Sequence, residues 1–574
     1  MTIEGKRQSI PLTEGPSRAA ARSYLRGSGF SKDDLHKPII GIANTWSDLN
    51  NCNLPHKQLV EYVKRGVLAA GGFPVEFHTL STQADLMKPS DLMYRNLMAM
   101  DLEEFVRSMP IDGLVMLCEC DKTCPAQLMA AVSCDVPALQ LAAGHRASGW
   151  YRGRRVTYGT DMWGFFDDAR TGELSSGELS ELEGLVSCSL GGCAVMGTAS
   201  TMKSLSEAMG MMLPGSSSIA ATDARRVTAA ERTGQRIVAM VEADLRPSSL
   251  ITDAALRNAI RVLSAIGGST NALLHLAAIA ARRGVPLPLD EFERLSKDVP
   301  LLVNLQPSGA YTMDEYDRAG GTAAVIGELL DVLEGDALTA LGQPLSEVYR
   351  SRRSNDDEVI GTLAKPFRGD ASLTVLRGNL APDGAVLKTS AASPELLKHV
   401  GRAVVFDDYQ DMLERIDDER LEVEPSSVLV LRNCGPVAAG MPEWAAIPIP
   451  AKLLARGVRD MVRISDARMS GTAGGTIVLH VAPEASVGGL LAVVHDGDPI
   501  ELDAERGVLQ LLVGEDELAR RRQGLRPRPA AHARGYPRLF AEHVLQAPDG
   551  CDLDFLRPAD PDEARFVEPI VGRG

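Results

Sequence analysis

Several features that mark particular classes of protein are scarce in this 574-residue sequence. Aromatic residues make up only 5% of it, and 60 lysines and arginines face 76 aspartates and glutamates, for a formal net charge of −16. This acidic balance argues against a nucleic-acid-binding protein, whose surface would be basic. It leaves room for an anionic small substrate, since a local site can be positive on an acidic protein. One basic cluster, interpreted as a solvated face or subunit contact, comprises residues 520–522, Arg526, Arg528, Arg534 and Arg538.

Long apolar segments are missing as well. No apolar run reaches the roughly 18 residues that a membrane span needs. The first ten residues, MTIEGKRQSI, contain no apolar core of a secretory signal. We therefore expect a cytoplasmic protein with no membrane partner. Its nine cysteines are expected to be reduced and available for metal binding or catalysis.

The first 150 residues alternate between apolar runs and helical patterns. The apolar runs are typical of buried strands and cover residues 38–44, 75–80, 111–118 and 136–141. The helical patterns begin at Pro55, at about Ser90 and at about Pro125. This β-α-β order predicts a mostly parallel sheet covered by helices. Ligands bind beyond the carboxyl ends of such strands, which directs attention to the loops 45–54, 81–89 and 119–124.

The character of the sequence changes further along. Residues 200–350 look mainly helical, and the charged stretch 350–357 is a candidate boundary. Short strands follow, at residues 427–431, 461–464 and 476–481, with a hairpin whose arms are 490–494 and 499–502. We predict an α/β fold class with two domains. Residues 1–365 form an N-terminal α/β/α domain with a mostly parallel sheet, and residues 366–574 form a smaller β-rich, barrel-like domain.

Cysteine placement gives the first chemical signal. Cys52 follows the first predicted strand, Cys120 follows the third, and Cys193 lies in a glycine-rich turn before a predicted helix. Helix N-termini and metals stabilise thiolates, so such loops suit iron–sulfur or soft-metal ligation. The spacing alone leaves a structural role open for each. A compact zinc or cluster site built from Cys118, Cys120 and Cys124 is a further alternative.

Two other segments could carry chemistry. Asp121 and Lys122 directly follow Cys120. The carboxylate could bind a hard cation such as Mg²⁺, and the lysine could be a charge partner, a base or a modified residue. A plain surface role for this dipeptide is equally open. In SDARMSGTAGG (465–475), small residues let the backbone approach a ligand, although the serines could be simple turn formers.

Seven ordered motifs carry a resemblance to a known family. They are NCNLPH (51–56), CDKT (120–123), CAVMGTASTM (193–202), GGSTNALLHL (267–276), RGNLAPDGAV (377–386), NCGPVAAGMPE (433–443) and SDARMSGTAGG (465–475). The chain resembles the dihydroxy-acid dehydratase and sugar-acid dehydratase family, which includes 6-phosphogluconate dehydratase. The resemblance extends from about residue 10 to about residue 555.

The resemblance implies an iron–sulfur hydro-lyase. Cys52, Cys120 and Cys193 match the residues that hold a 2Fe–2S cluster in the family. Three protein ligands leave one iron open as a Lewis acid for the substrate's C3 hydroxyl. The resemblance places the cluster in the N-terminal domain. Ser470, which matches the residue proposed as the base in the family, lies in the C-terminal domain, so the site is expected in the cleft between the two domains.

The resemblance also implies a Mg²⁺ ion that holds the substrate carboxylate and C2 hydroxyl. Asp121, a carbamylated Lys122 and Glu443 match its ligands. Ser470 matches the residue proposed as the base, and Thr472 lies beside it. A serine is a poor base unless nearby positive charge lowers its pKa, which the metals could do.

One departure from the family pattern concerns Mg²⁺. Family members usually carry an acidic residue in the loop after the second strand, and here Ala84 takes that place. Asp85 could substitute after a shift of one residue, or a water could fill the gap. Cys118-Glu119 is also unusual before the Cys-Asp-Lys motif, where glycines are common.

The expected activity is dehydration of a sugar acid (aldonate) to a 2-keto-3-deoxy acid. The segments after Cys193 and around Ser470 look closer to the pentonate (arabinonate and xylonate) dehydratases than to the branched-chain enzymes, which usually show SDGRFSG. The alternatives are a dihydroxy-acid dehydratase of branched-chain amino-acid biosynthesis and a non-catalytic relative with a degraded metal site. By analogy with the family, a homodimer or homotetramer acting on a small polyhydroxy carboxylate is expected.

Overall fold

The computed structural model describes residues 7–13, 15–525 and 532–558, so Arg526 and Arg528 of the basic cluster lie outside the described residues. The strands are β1 Ile39–Asn44, β2 Phe73–His78, β3 Gly113–Cys118, β4 Ala138–Ala142, β5 Gly149–Tyr151, β6 Arg154–Val156, β7 Thr374–Gly378, β8 Ala381–Leu387, β9 Lys398–Phe406, β10 Val428–Leu431, β11 Val462–Ser465, β12 Ile477–Ala482, β13 Pro499–Asp503 and β14 Val508–Leu511.

The helices that precede the barrel strands are α1 Ala19–Gly27, α2 His56–Ala69, α3 Asp91–Ser108, α4 Thr123–Cys134, α5 Thr160–Thr171, α6 Ser176–Leu185, α7 Thr198–Ala208, α8 Ala224–Ala243, α9 Pro247–Leu250, α10 Asp253–Ala265, α11 Asn271–Arg282, α12 Leu289–Lys297, α13 Met313–Ala319, α14 Gly321–Glu328 and α15 Leu345–Tyr349. The later helices are α16 Tyr409–Arg415, α17 Pro436–Ala439, α18 Ala451–Leu454, α19 Glu515–Gln523 and α20 Gly535–His543. Within the described ranges, no helix combines the length and the apolar character needed to cross a membrane.

The N-terminal sheet has the order β2-β1-β3-β4, and every neighbouring pair is parallel. β1 and β3 are buried along their whole length, which explains their unbroken apolar sequences. Helices α3 and α4 pack against each other, as is expected of two helices that right-handed crossovers would place on the face opposite to α2. The predicted mostly parallel, helix-covered sheet is therefore confirmed, with strand ends within about two residues of the predicted ones.

The later strands close into a barrel with the order β10-β11-β12-β8-β7-β14-β13-β9. Side chains alternate along β10: Val428 and Val430 pack inside the barrel, whereas Leu429 and Leu431 join the main core outside it. Both faces of this strand are buried, so its sequence is apolar throughout. The prediction of a β-rich, barrel-like region is confirmed.

The predicted hairpin with arms 490–494 and 499–502 is wrong in its first arm. Residues Leu490–Val493 form a 3₁₀ turn, and β13 pairs with β14 instead. Leu490, Leu491 and Val493 are buried in the barrel core. A short buried apolar run has the same composition in a turn as in a strand, so periodicity could not separate the two.

Candidate active site

The loops after β1 and β3 bring two cysteines together. The carboxyl ends of parallel strands share one edge, and there the thiols of Cys52 and Cys120 lie close enough for each to shift the pKa of the other. The Asn53 side chain supports this arrangement, because its Oδ1 accepts the Cys120 backbone N–H at 3.0 Å. The interaction with the Cys120 thiol lowers the pKa of Cys52, although burial opposes it.

Arg146 links the third cysteine loop to Cys52. Its Nη2 lies 3.8 Å from the Cys52 sulfur, and its Nε donates to the carbonyls of Gly191 and Gly192 at 3.2 Å. Burial raises the pKa of Cys193, and the Arg146 charge works against that rise. Cys52 and Cys193 thus share one guanidinium, which favours thiolates and suits metal ligation.

Cys118 and Cys124 have a different environment. They lie on β3 and α4 with no exposed surface, and burial together with the neighbouring Cys124 thiol raises the pKa of Cys118. The Cys124 thiol also lies 3.2 Å from Gln140 Oε1. These two cysteines fill the core, so the alternative compact site with Cys120 gains no support from their contacts.

Lys122 is the centre of an acidic cluster. Its side chain is 0% exposed, and its Nζ lies 3.4 Å from Asp91, 3.8 Å from Glu443 and 3.9 Å from Asp121. Among the described residues, no side chain or backbone atom forms a hydrogen bond of good geometry with this nitrogen. A fully buried amine surrounded by loosely placed carboxylates is typical of a site that is built for a further group.

Arg468 connects helix α3 to the barrel region through its ion pairs. It lies in the loop between β11 and β12 and forms ion pairs with both Asp91 and Glu443. Burial alone would raise the pKa of Asp91, but Arg468 and Lys122 outweigh it and hold that pKa below its usual value. Burial raises the pKa of Asp121 to about 6, with Glu443 and Asp91 adding to the rise.

Asp85 is placed apart from this cluster. Its side chain is exposed and accepts hydrogen bonds from Gln83, at 3.1 Å, and from Tyr158. The backbone N–H of the neighbouring Ala84 interacts with the Cys120 thiol. The structure therefore gathers Asp121, Lys122 and Glu443 and leaves Asp85 outside their ion pairs.

Ser470 and Thr472 form a hydroxyl pair. Their oxygens are 2.9 Å apart, and the Thr472 backbone N–H lies 3.3 Å from Ser470 Oγ. The indole N–H of Trp163 donates to Thr472 Oγ1 at 3.2 Å. An indole nitrogen can only donate, so Thr472 Oγ1 accepts there, and either hydroxyl can be the donor between Ser470 and Thr472. If Ser470 is ionised, its oxygen can only accept, and it then faces two donors from Thr472, the hydroxyl and the backbone N–H.

The N-terminus of α7 lies against the same loop. A Cβ at Gly471 would stand 2.7 Å from both the backbone nitrogen of Thr198 and the hydroxyl of Ser269. Only glycine allows this approach, which brings the partial positive charge of the helix end close to the hydroxyl pair. Asn271 completes the link: its Nδ2 donates to the Met469 carbonyl at 3.1 Å and lies 3.4 Å from Glu443 Oε1.

These donor sets fit the groups implied by the resemblance. Buried thiols beside a guanidinium match a cluster, and an orphaned buried lysine among carboxylates matches a divalent-cation site. In the part of the chain that the structure describes, no three cysteine, histidine or acidic side chains converge on one point. The ligands of a 2Fe–2S cluster are divided between two iron atoms, so the cysteines that hold one need not converge on a single point.

Sequence reasoning missed Asp91, Arg468, Arg146, Asn271 and Trp163. Asp91 looks like an ordinary acidic residue in the first turn of a helix. Arg468 and Asn271 lie within the motifs SDARMSGTAGG and GGSTNALLHL, where nothing in the sequence distinguishes them from the neighbouring glycines and serines. The spacing of these residues carries no signal, because they meet only in the folded chain.

Comparison with known proteins identifies the class. Residues 37–348 match the family described as "Dihydroxy-acid/6-phosphogluconate dehydratase N-terminal", and residues 358–551 match its C-terminal counterpart. Both describe dehydratases, which are hydro-lyases. The chain belongs to the dihydroxy-acid/6-phosphogluconate dehydratase family. Within this family it is similar to pentonate dehydratases, namely an L-arabonate and an L-arabinonate dehydratase.

Three relatives illustrate the family. The chain is 49% identical to the L-arabonate dehydratase of Azospirillum brasilense, covering 93% of this chain and 94% of the relative. It is 46% identical to the 6-deoxy-6-sulfo-D-gluconate dehydratase of Pseudomonas putida, covering 94% of each. It is 39% identical to the dihydroxy-acid dehydratase of Ignicoccus hospitalis, covering 94% of this chain and 98% of the relative.

Proposed function

We propose that this protein dehydrates an aldonate to a 2-keto-3-deoxy acid. The observation that supports this most directly is the position of Asn271 between the acidic cluster and the loop of the proposed base. Its amide contacts Glu443 of the acidic cluster and the Met469 carbonyl, next to Ser470. A carboxylate-bearing substrate with a C2 proton requires a base beside a positive group that neutralises the carboxylate. The acidic cluster has one negative charge in excess, so it would meet this requirement through a bound divalent cation.

The proposed cofactors are a 2Fe–2S cluster on Cys52, Cys120 and Cys193 and Mg²⁺ on Asp121 and Glu443 with a carbamylated Lys122. When bound, these groups would supply Lewis acidity for the leaving C3 hydroxyl and charge neutralisation for the substrate carboxylate.

Carbamylation of Lys122 fits the surroundings of its amine. The ammonium would first lose one proton, and the resulting neutral amine would add carbon dioxide and lose a second proton. The product is a carbamate, so a buried cation becomes an anionic oxygen donor. The nitrogen has no hydrogen bond of good geometry to give up among the described residues. This change would remove an ammonium from the position proposed for a divalent cation.

Ser470 is proposed to take the C2 proton as an alkoxide. The hydroxyl and backbone N–H of Thr472 and the positive end of α7 would stabilise negative charge on Ser470 Oγ. Trp163 orients the Thr472 hydroxyl through its indole N–H. Loss of the proton and the hydroxyl gives an enol, which tautomerises to the 2-keto-3-deoxy acid.

The comparisons favour a sugar acid as substrate. The arabonate and sulfogluconate dehydratases share 46–49% identity with this chain, against 39% for the dihydroxy-acid dehydratase. We propose a pentonate or a related aldonate. We also propose a cytoplasmic homodimer or homotetramer, divided into domains at 1–365 and 366–574.

The test is a substrate panel with anaerobically purified enzyme of confirmed iron and sulfide content, supplied with Mg²⁺. The panel comprises L-arabinonate, D-xylonate, D-gluconate, 6-deoxy-6-sulfo-D-gluconate and 2,3-dihydroxyisovalerate. We expect one aldonate to have the highest kcat/KM. A clear preference for 2,3-dihydroxyisovalerate would instead establish the branched-chain activity, and no turnover of any acid would indicate a non-catalytic protein.

A further inference from the structure

We propose that Asp91 is a ligand of the divalent cation and replaces the acidic residue that Ala84 does not supply. This inference rests on the proposed function, because it concerns the same cation site. Asp91 lies on the first turn of α3, seven residues beyond Ala84, and reaches the site from a different element.

The position of Asp91 supports a direct role. Its Oδ2 lies 3.4 Å from Lys122 Nζ, closer than the carboxylates of Asp121 and Glu443. Three carboxylates thus surround one nitrogen, at 3.4–3.9 Å. Asp91 is 3% exposed, so its carboxylate is directed into the protein and not toward solvent.

The two oxygens of Asp91 have different partners. Oδ1 accepts a hydrogen bond from Arg468, which fixes the carboxylate. Among the described residues, Oδ2 is buried without a hydrogen bond of good geometry. An oriented carboxylate with one free oxygen is what a cation ligand provides, whereas a purely structural carboxylate would have both oxygens satisfied.

The charge balance of the acidic cluster also supports a bound divalent cation. Asp91, Asp121 and Glu443 face Lys122 and Arg468, which leaves one negative charge in excess in a buried region. Carbamylation of Lys122 would increase that excess. Buried charge is costly unless it is balanced, and a divalent cation balances it.

The loop at Ala84 does not supply a carboxylate to the cation site. The Ala84 side chain is a methyl group, and its backbone N–H is engaged with Cys120. Asp85 is exposed and is bound to Gln83 and Tyr158. Asp91 is therefore the carboxylate near Lys122 that lies outside the ligand set implied by the family.

The test measures binding of Mn²⁺, as a paramagnetic substitute for Mg²⁺, to the cluster-loaded enzyme by electron paramagnetic resonance. We expect Asp91→Asn to raise the Kd for Mn²⁺ at least about tenfold. The matched control Glu104→Gln removes a charge from an exposed position of the same helix and should leave the Kd unchanged. Equal affinity of Asp91→Asn and the wild type would overturn the assignment of Asp91. No Mn²⁺ binding by the wild type would instead overturn the cation site of the proposed function itself.

A second variant separates ligation from folding. Asparagine keeps an acceptor for Arg468, but the loss of charge could still destabilise the site. Ala84→Glu added to Asp91→Asn should restore Mn²⁺ affinity to within about threefold of the wild type, without restoring the Arg468 ion pair. A double variant that binds no better than Asp91→Asn would contradict the replacement of one carboxylate by the other.

Discussion

The Glu119 carboxylate and the Lys203 ammonium form an ion pair in which neither side chain is exposed to solvent. Glu119 also accepts the Gly144 backbone N–H at 2.7 Å. A Cβ at Gly192 would lie only 2.1 Å from Glu119 Oε1, so the loop of Cys193 packs directly on this carboxylate. Glu119 therefore supports the segments on which the cysteines lie.

Removing the charge of Glu119 should destabilise the protein and its cluster. Glu119→Gln leaves Lys203 buried without a counter-ion, which we expect to cost about 3–5 kcal/mol. The thermal midpoint and the iron content of the purified enzyme should both fall. The double variant Glu119→Gln/Lys203→Met removes both charges and should recover most of the midpoint. A double variant less stable than the single one would show that the ion pair is not the cause.

The cysteine assignment predicts two classes of variant. Cys52→Ser should lose the visible absorption of the cluster, since serine ligates iron–sulfur clusters poorly. Cys124→Ser, in the core pair with Cys118, should keep the full iron and sulfide content. The exposed Cys188 offers a surface control in Cys188→Ser. Loss of iron in Cys124→Ser, with iron retained in Cys52→Ser, would reverse the assignment.

Ser470→Ala should lower kcat by about 10²–10⁴-fold while leaving the visible absorption of the cluster intact. Trp163→Phe removes the donor that orients the Thr472 hydroxyl, and should lower kcat less and shift the ascending, low-pH limb of the pH–rate profile to higher pH, because that limb follows ionisation of the base. Anaerobic steady-state kinetics with the best aldonate would measure both. An unimpaired Ser470→Ala enzyme would rule out Ser470 as the base.

Lys388 predicts a pH dependence of stability. Its side chain is 0% exposed, and burial lowers its pKa to about 7 from 10.5. Between these values the unfolded chain binds more protons than the folded one, so this lysine destabilises the fold most at or below pH 7 and least near pH 10.5. Lys388→Met should therefore stabilise the protein by about 2–5 kcal/mol near pH 6. Thermal midpoints at pH 6 and pH 10 would check this, and an equal gain at both would contradict the lowered pKa.

Local patterns sufficed to predict the N-terminal sheet, because β1 and β3 are short, apolar and separated by helices with clear periodicity. Barrel closure depends on pairings such as β7 with β14, which join distant segments and leave no local trace. The same limit applies to the site. The contact of Arg468 with Asp91 joins residues 377 positions apart, so neither residue could be selected from its neighbours in the sequence.

Deuterium incorporation tests the proposed dehydration most directly. L-arabinonate would be incubated with Mg²⁺ and the anaerobically purified enzyme in D₂O, and the product followed by NMR. Removal of the C2 proton and tautomerisation of the enol predict a 2-keto-3-deoxy acid with one deuterium at C3. Unchanged L-arabinonate in the presence of an intact cluster would contradict L-arabinonate as the substrate, and a product without deuterium at C3 would contradict the enol route.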